Sequence, residues 1–144
     1  MHRRPVGRPR ALAALGAIVI LAGCVLPWWT VGGANGLPAR SGNAFDAMGI
    51  LVFVAALATL AIVTLPYATD RPVPTDRWIA YAFVTALGWL GFVARLLDLA
   101  FARFFSFAHP SDVLTRGPGL WVVAIGLVIL TRAAYDISRE PRLR

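Results

Sequence analysis

Few side chains in this 144-residue sequence could do chemistry, and the pair closest to its apolar interior is Arg95 with Asp98. Three residues apart on a helix, they share a face and can form an ion pair. An ionisable pair inside a membrane segment is by default a candidate for a solute or proton path. These residues, however, lie about seventeen and twenty positions past Trp78, late enough for Arg95 to reach the headgroups, so an interfacial anchor or structural pair is the first expectation. Asp46 and Asp98, each near a span boundary, are the acids that proton-coupled export would draw on. Cys24 is the single cysteine, which excludes an internal disulfide, a CxxC redox pair and a thiolate metal cluster. His2 and His109 fall on opposite sides of the membrane in the topology below, so they share no metal. General acid–base chemistry needs groups gathered in a shielded site, and the seven acids are scattered over span edges and loops. The expectation is therefore no enzyme, no catalytic set, no cofactor and no metal.

The elements that would position these groups follow from composition. Hydrophobic residues make up 58% of the chain and charged residues 15%, with mean hydropathy +0.69. That is more apolar surface than a soluble domain of this length buries. Crossing ~30 Å of hydrocarbon takes ~20 mainly apolar residues in a helix, and four such stretches occur, at 11–29, 45–65, 78–99 and 118–135. Only a helix satisfies every backbone group within such a segment. The pattern predicts an all-α polytopic protein, one membrane domain over 1–144, with four transmembrane helices in an antiparallel bundle. Small residues would close the packing, Ala82 with Ala86 and Gly88 with Gly91.

Aromatic residues mark the span ends. Trp28, Trp29, Tyr67, Trp78, Trp121 and Tyr135 sit near boundaries, where an amphipathic ring anchors at the interface, while Tyr81 and Trp89 lie deeper. All fourteen basic residues are arginine, and net charge is +7. Ten of them lie on one side: Arg3, Arg4, Arg8, Arg10, Arg71, Arg77, Arg132, Arg139, Arg142 and Arg144. The other side has Arg40, Arg95, Arg103 and Arg116. The positive-inside rule then places both termini (1–10 and 136–144) and the 66–77 loop in the cytoplasm of a bacterial cell, the protein lying in its inner membrane. Basic charge at helix flanks is explained by topology, so nucleic acid is not an expected partner. The expected partners are the bilayer and another membrane protein or a second copy.

Cys24 raises a separate question. "MHRRPVGRPR", "ALAALGAIVI" and "LAGC" reproduce in order the basic region, apolar region and small-residue cleavage site of a bacterial lipoprotein signal, with Cys24 as the acylated residue. Cleavage there would leave three spans without changing the side of any remaining loop. However, "VLPWWTV" continues the apolar stretch to spanning length, where a lipidated cysteine ordinarily opens a polar tether. The length favours a retained helix.

The loops are less informative. Residues 30–44 form a Gly-rich outer loop that reads first as a flexible connector, with a small hairpin lid as the alternative because Asn35-Gly36 favours a primed turn. It contains no phosphate-loop pattern. The inner loop repeats Thr-Asp-Arg at 69–71 and 75–77, is stiffened by Pro66, Pro72 and Pro74, and offers Thr75 as a cap for the third helix. In 100–117, Phe101, Phe104, Phe105 and Ala108 share one face, and Ala102, Ser106 and His109 extend the Arg95–Asp98 stripe on another. This predicts an amphipathic segment at the outer interface after the third helix.

Leu26-Pro27-Trp28 at the end of the first span, the Gly-rich loop, Phe45-Asp46 at the second and "GPGLW" from Gly117 to Trp121 recur as a layout. In these features the chain resembles small four-helix membrane proteins of actinobacteria of unknown function. The resemblance implies the four-helix fold and transfers no activity, cofactor or site residue. Three functional expectations follow: a non-enzymatic accessory or interaction protein; a small transporter or channel subunit using Arg95 and Asp98; or a membrane lipoprotein processed at Cys24.

Overall fold

A computed structural model describes residues 7–33, 38–68, 78–101 and 117–140. It contains helices α1 (Arg8–Val25), α2 (Ile50–Ala68), α3 (Trp78–Phe101) and α4 (Pro118–Ser138), with two short strands, β1 (Trp29–Val31) and β2 (Arg40–Gly42), between α1 and α2. A 3-10 turn, Ala47–Gly49, leads into α2. All four helices are long and apolar enough to cross a membrane, the second counted together with its turn. The all-α membrane reading holds at that level.

Helix boundaries differ from the sequence expectation where proline acts. The first span was expected to run to Trp29, but α1 ends at Val25, and Leu26 is extended at φ −69°, ψ 153°. Leu26 precedes Pro27, whose ring disfavours helical geometry in the residue before it. At the other end, Pro9 occupies the first turn of α1, where its missing N–H costs nothing. Pro118 plays the same part in α4. Pro66 was expected in the inner loop, just past a span ending at Leu65, yet it lies inside α2, which continues to Ala68. In the last turn a proline removes one hydrogen bond, and the helix absorbs the loss. The fourth helix extends past Tyr135 to Ser138.

Helix α1 packs against α4 and α2, and α3 packs against α2 and α4. Between α1 and α4, glycines let the backbones meet. A Cβ on Gly16 would lie 3.0 Å from Leu130 N and 3.1 Å from Gly126 O, and one on Gly126 would lie 2.9 Å from Ile20 N. A Cβ on Gly23 would come within 2.8 Å of Val123 N. Residue number thus falls along α4 as it rises along α1. Close approach at small residues is how helices gain packing energy in lipid, where no hydrophobic force drives them together. On α3 the expected Gly88 and Gly91 do pack inward, meeting Leu127 and Leu51. Ala82 is only half-buried and Ala86 is exposed, so that pair does not form the contact. Val84 and Thr85 take the buried positions between them.

The outer loop, read first as a flexible connector, instead carries a short hairpin. Strands β1 and β2 pair antiparallel, Trp29 opposite Gly42 and Val31 opposite Arg40. Gly32 at φ +87° begins the turn in a conformation that favours glycine. The Asn35-Gly36 dipeptide, the 69–77 loop with Thr75, and the amphipathic segment from 102 to 116 lie outside the described residues.

Candidate functional site

The hairpin is tied to the helix ends by backbone hydrogen bonds. Trp28 N donates to Gly42 O (2.8 Å), Ala44 N to Cys24 O (3.3 Å) and Gly119 N to Pro27 O (2.9 Å). After Gly42 the chain turns through Asn43, whose Oδ1 accepts from Phe45 N at 3.1 Å. It then passes Asp46 and Ala47, the latter at φ +52°, before entering α2. Gly49 permits this route, because a Cβ there would collide with the backbone of Ala44.

This path carries Asp46 to the end of α3 that holds Arg95 and Asp98. Arg95 is buried, with its side chain 7% exposed. Its Nη1 donates to Asp98 Oδ2, and its Nη2 lies 3.9 Å from Asp46 Oδ2. Both carboxylates are about half exposed, at 53%. One guanidinium therefore links two turns of its own helix to the entrance of α2. The buried Nε of Arg95 has no hydrogen-bond partner. The sequence suggested an arginine reaching outward to headgroups from the late part of its helix. Instead the two acids hold it inside, where a buried cation needs compensation. Spacing identified Asp98 as its partner. Asp46 as a second partner depends on the hairpin, and no local pattern announces it.

An aromatic cluster lies beside this site. Trp28 is fully buried, and its Nε1 donates to Gly23 O at 3.0 Å. Its ring meets Phe92 edge-on at 5.8 Å, and Phe92 in turn meets Trp89 at 5.9 Å. Trp28 was expected to be an interface anchor. The early end of α1 turns it back under the hairpin, and it becomes a core residue. Trp78, Trp121, Tyr67 and Tyr135 do present exposed rings at helix ends. Trp89 donates to Thr131 Oγ1 at 2.9 Å, bridging α3 and α4.

Cys24 is fully buried in the hydrophobic core to which all four helices contribute. Among the described residues, no three His, Cys, Asp or Glu side chains come together to hold a metal. At the opposite end of the molecule, Arg10 pairs with Glu140 at 3.1 Å and joins the start of α1 to the end of α4. There Arg132 pairs with Asp136 at 3.2 Å, and Arg139 stacks over the Tyr135 ring at 4.4 Å.

The buried polar residues among those described are thus Thr59, Thr85 and Arg95. Each threonine donates to the carbonyl one turn back, Thr59 to Ala55 O and Thr85 to Tyr81 O. Arg95 is engaged by its two aspartates. No family model, curated protein or solved structure matches this chain.

Proposed function

We propose that the chain is an antiparallel four-helix bundle of the bacterial inner membrane, with both termini in the cytoplasm, acting as a non-enzymatic accessory or interaction protein. The observation that carries this reading is that the buried Thr59 and Thr85 hydroxyls and the Nη1 of Arg95 are paired within the chain itself. A transport path needs polar groups facing a shared cavity through the spans. Here Arg95, the one buried charge among the described residues, serves to join the α2 entrance to α3. The outward faces carry large apolar side chains, among them Phe83, Leu90, Ile125 and Val128, which suit lipid or another helix.

Retention of α1 belongs to the same reading. Gly16 and Gly23 fit against α4 at backbone distance. Cleavage before Cys24 would strip the face of α4 that buries Val123, Gly126 and Leu130. An apolar signal segment requires no such fit.

The test is affinity capture of the tagged full-length chain from native membranes after in-membrane crosslinking. A reproducible partner or self-adduct is the expected result, and its absence in repeated captures counts against the interaction reading. Reconstituted vesicles provide the opposing arm. Solute or proton flux that Asp98→Asn or Arg95→Gln abolishes would replace this reading with transport.

A further inference from the structure

Where α1 begins and α4 ends, Arg8, Pro9, Ala11, Leu12, Leu15 and Asp136 line an open groove. Its two ends differ chemically. Arg8 at the mouth is exposed, and among the described residues no carboxylate forms an ion pair with it. The acid in the groove, Asp136, is already held by Arg132. The far end is apolar, closing on Leu12 and the half-exposed Leu15. From Arg8 to Leu15 a helix climbs about 10 Å. A bilayer passes from headgroup to hydrocarbon over roughly 5–8 Å in each leaflet. With α1 spanning the bilayer as proposed above, the groove crosses that boundary with a cation on the wet side and hydrocarbon on the dry side.

We propose that this groove seats one anionic glycerophospholipid of the leaflet, its phosphate on the Arg8 guanidinium and the upper part of an acyl chain along Ala11, Leu12 and Leu15. The inference rests on the membrane reading above. A guanidinium fork matches a phosphate with two parallel hydrogen bonds. The charge at this end has the right sign, since Arg8, Arg10, Arg132 and Arg139 outnumber Asp136 and Glu140 among the described residues. Arg139, stacked on Tyr135, is a second cation near the end of α4. A soluble anion would satisfy Arg8 and leave the apolar floor uncovered. An uncharged lipid would cover the floor and leave Arg8 without its anion. An anionic amphiphile answers both.

The experiment uses the full-length chain reconstituted in vesicles of phosphatidylcholine with a minor fraction of phosphatidylglycerol, followed by release into native mass spectrometry. The wild type is expected to retain one phosphatidylglycerol under activation that strips phosphatidylcholine. Arg8→Gln should lower that adduct about fivefold, the weight of one arginine near an anionic surface. Ala11→Trp fills the groove without changing charge and should lower it as well. Arg40→Gln, on the exposed hairpin, should leave it unchanged. Retention by Arg8→Gln, or equal loss in Arg40→Gln, overturns the proposal. Displacement by inorganic phosphate at constant ionic strength, or an unchanged adduct in Ala11→Trp, overturns the acyl seat and assigns binding to charge alone. Vesicle flotation separates the two levels: a chain that does not float removes the membrane reading and this site together, and one that floats without lipid preference removes the site alone.

Discussion

Arg95 Nη2 lies 3.9 Å from Asp46 Oδ2, so a cation on α3 holds the segment by which the hairpin enters α2. The same guanidinium donates to Asp98 one turn along its own helix. Because the cation is buried and both acids are half exposed, the three positions are not equivalent. Removing both acids strands a charge in the interior, which typically costs about 3–5 kcal/mol. Asp46→Asn/Asp98→Asn is therefore expected to lose about 3 kcal/mol in reversible detergent unfolding. Arg95→Met leaves two solvated carboxylates and a packed side chain, and should cost less than the double variant. Asp46→Asn alone removes the longer contact and is expected to cost about 1 kcal/mol or less. A double variant as stable as wild type would show that Arg95 needs no acid.

Helices α1 and α4 give a second prediction. Valine at position 126 would push its Cβ against the Ile20 backbone and the Gly16 carbonyl. Overpacking of this kind costs roughly 1–3 kcal/mol. Gly126→Val is expected to fall in that range and to loosen α1, measured as faster proteolysis of the N-terminal segment in detergent. Ala86→Val, on an exposed face of α3, should change stability by less than about 0.5 kcal/mol. Equal effects of the two substitutions would remove the special role of the α1–α4 contact.

These two cases mark how far the sequence could be read. Four helices long and apolar enough to cross a membrane were legible because length and hydropathy are local quantities, and Arg95 with Asp98 was legible because helical spacing is local too. The pairing of α1 with α4 was not legible, since spacing singled out the small residues of α3 for close contact and no local pattern tells which helix meets which. Asp46 reaches Arg95 through a hairpin, a glycine at 49 and a left-handed Ala47. No periodicity encodes that combination. The end of α1 stood in the sequence as Pro27, but the aromatic run after it read as a continuing span.

Trp28 tests that correction directly. It is fully buried, whereas Trp121 is 46% exposed. In chains retaining one tryptophan each, brominated lipids are expected to quench Trp121 strongly and Trp28 weakly. Trp28→Phe keeps the edge-on ring contact with Phe92 and loses the hydrogen bond to Gly23 O, a change of about 1 kcal/mol. Trp28→Ala should cost about 3–5 kcal/mol, as large cavities in a packed core do. Strong quenching of Trp28 would restore the interface-anchor reading.

Cys24 decides what the membrane retains. Its side chain is fully buried in the hydrophobic core. A retained α1 predicts an intact mass that includes the residues before Cys24 and carries no acyl chains. It also predicts that a membrane-permeant maleimide labels Cys24 slowly in native membranes and rapidly after unfolding in detergent. The two readouts are independent, because the mass reports processing and the labelling rate reports packing. Lipoprotein processing would instead remove the residues before Cys24, add acyl mass and block the thiol under both conditions. It would also leave the α4 surface around Gly126 and Val123 facing lipid, where the small glycine positions would have no helix to admit. Gly126→Val would then be harmless, so the stability of that variant and the mass of the wild type must agree on whether α1 is part of the mature fold.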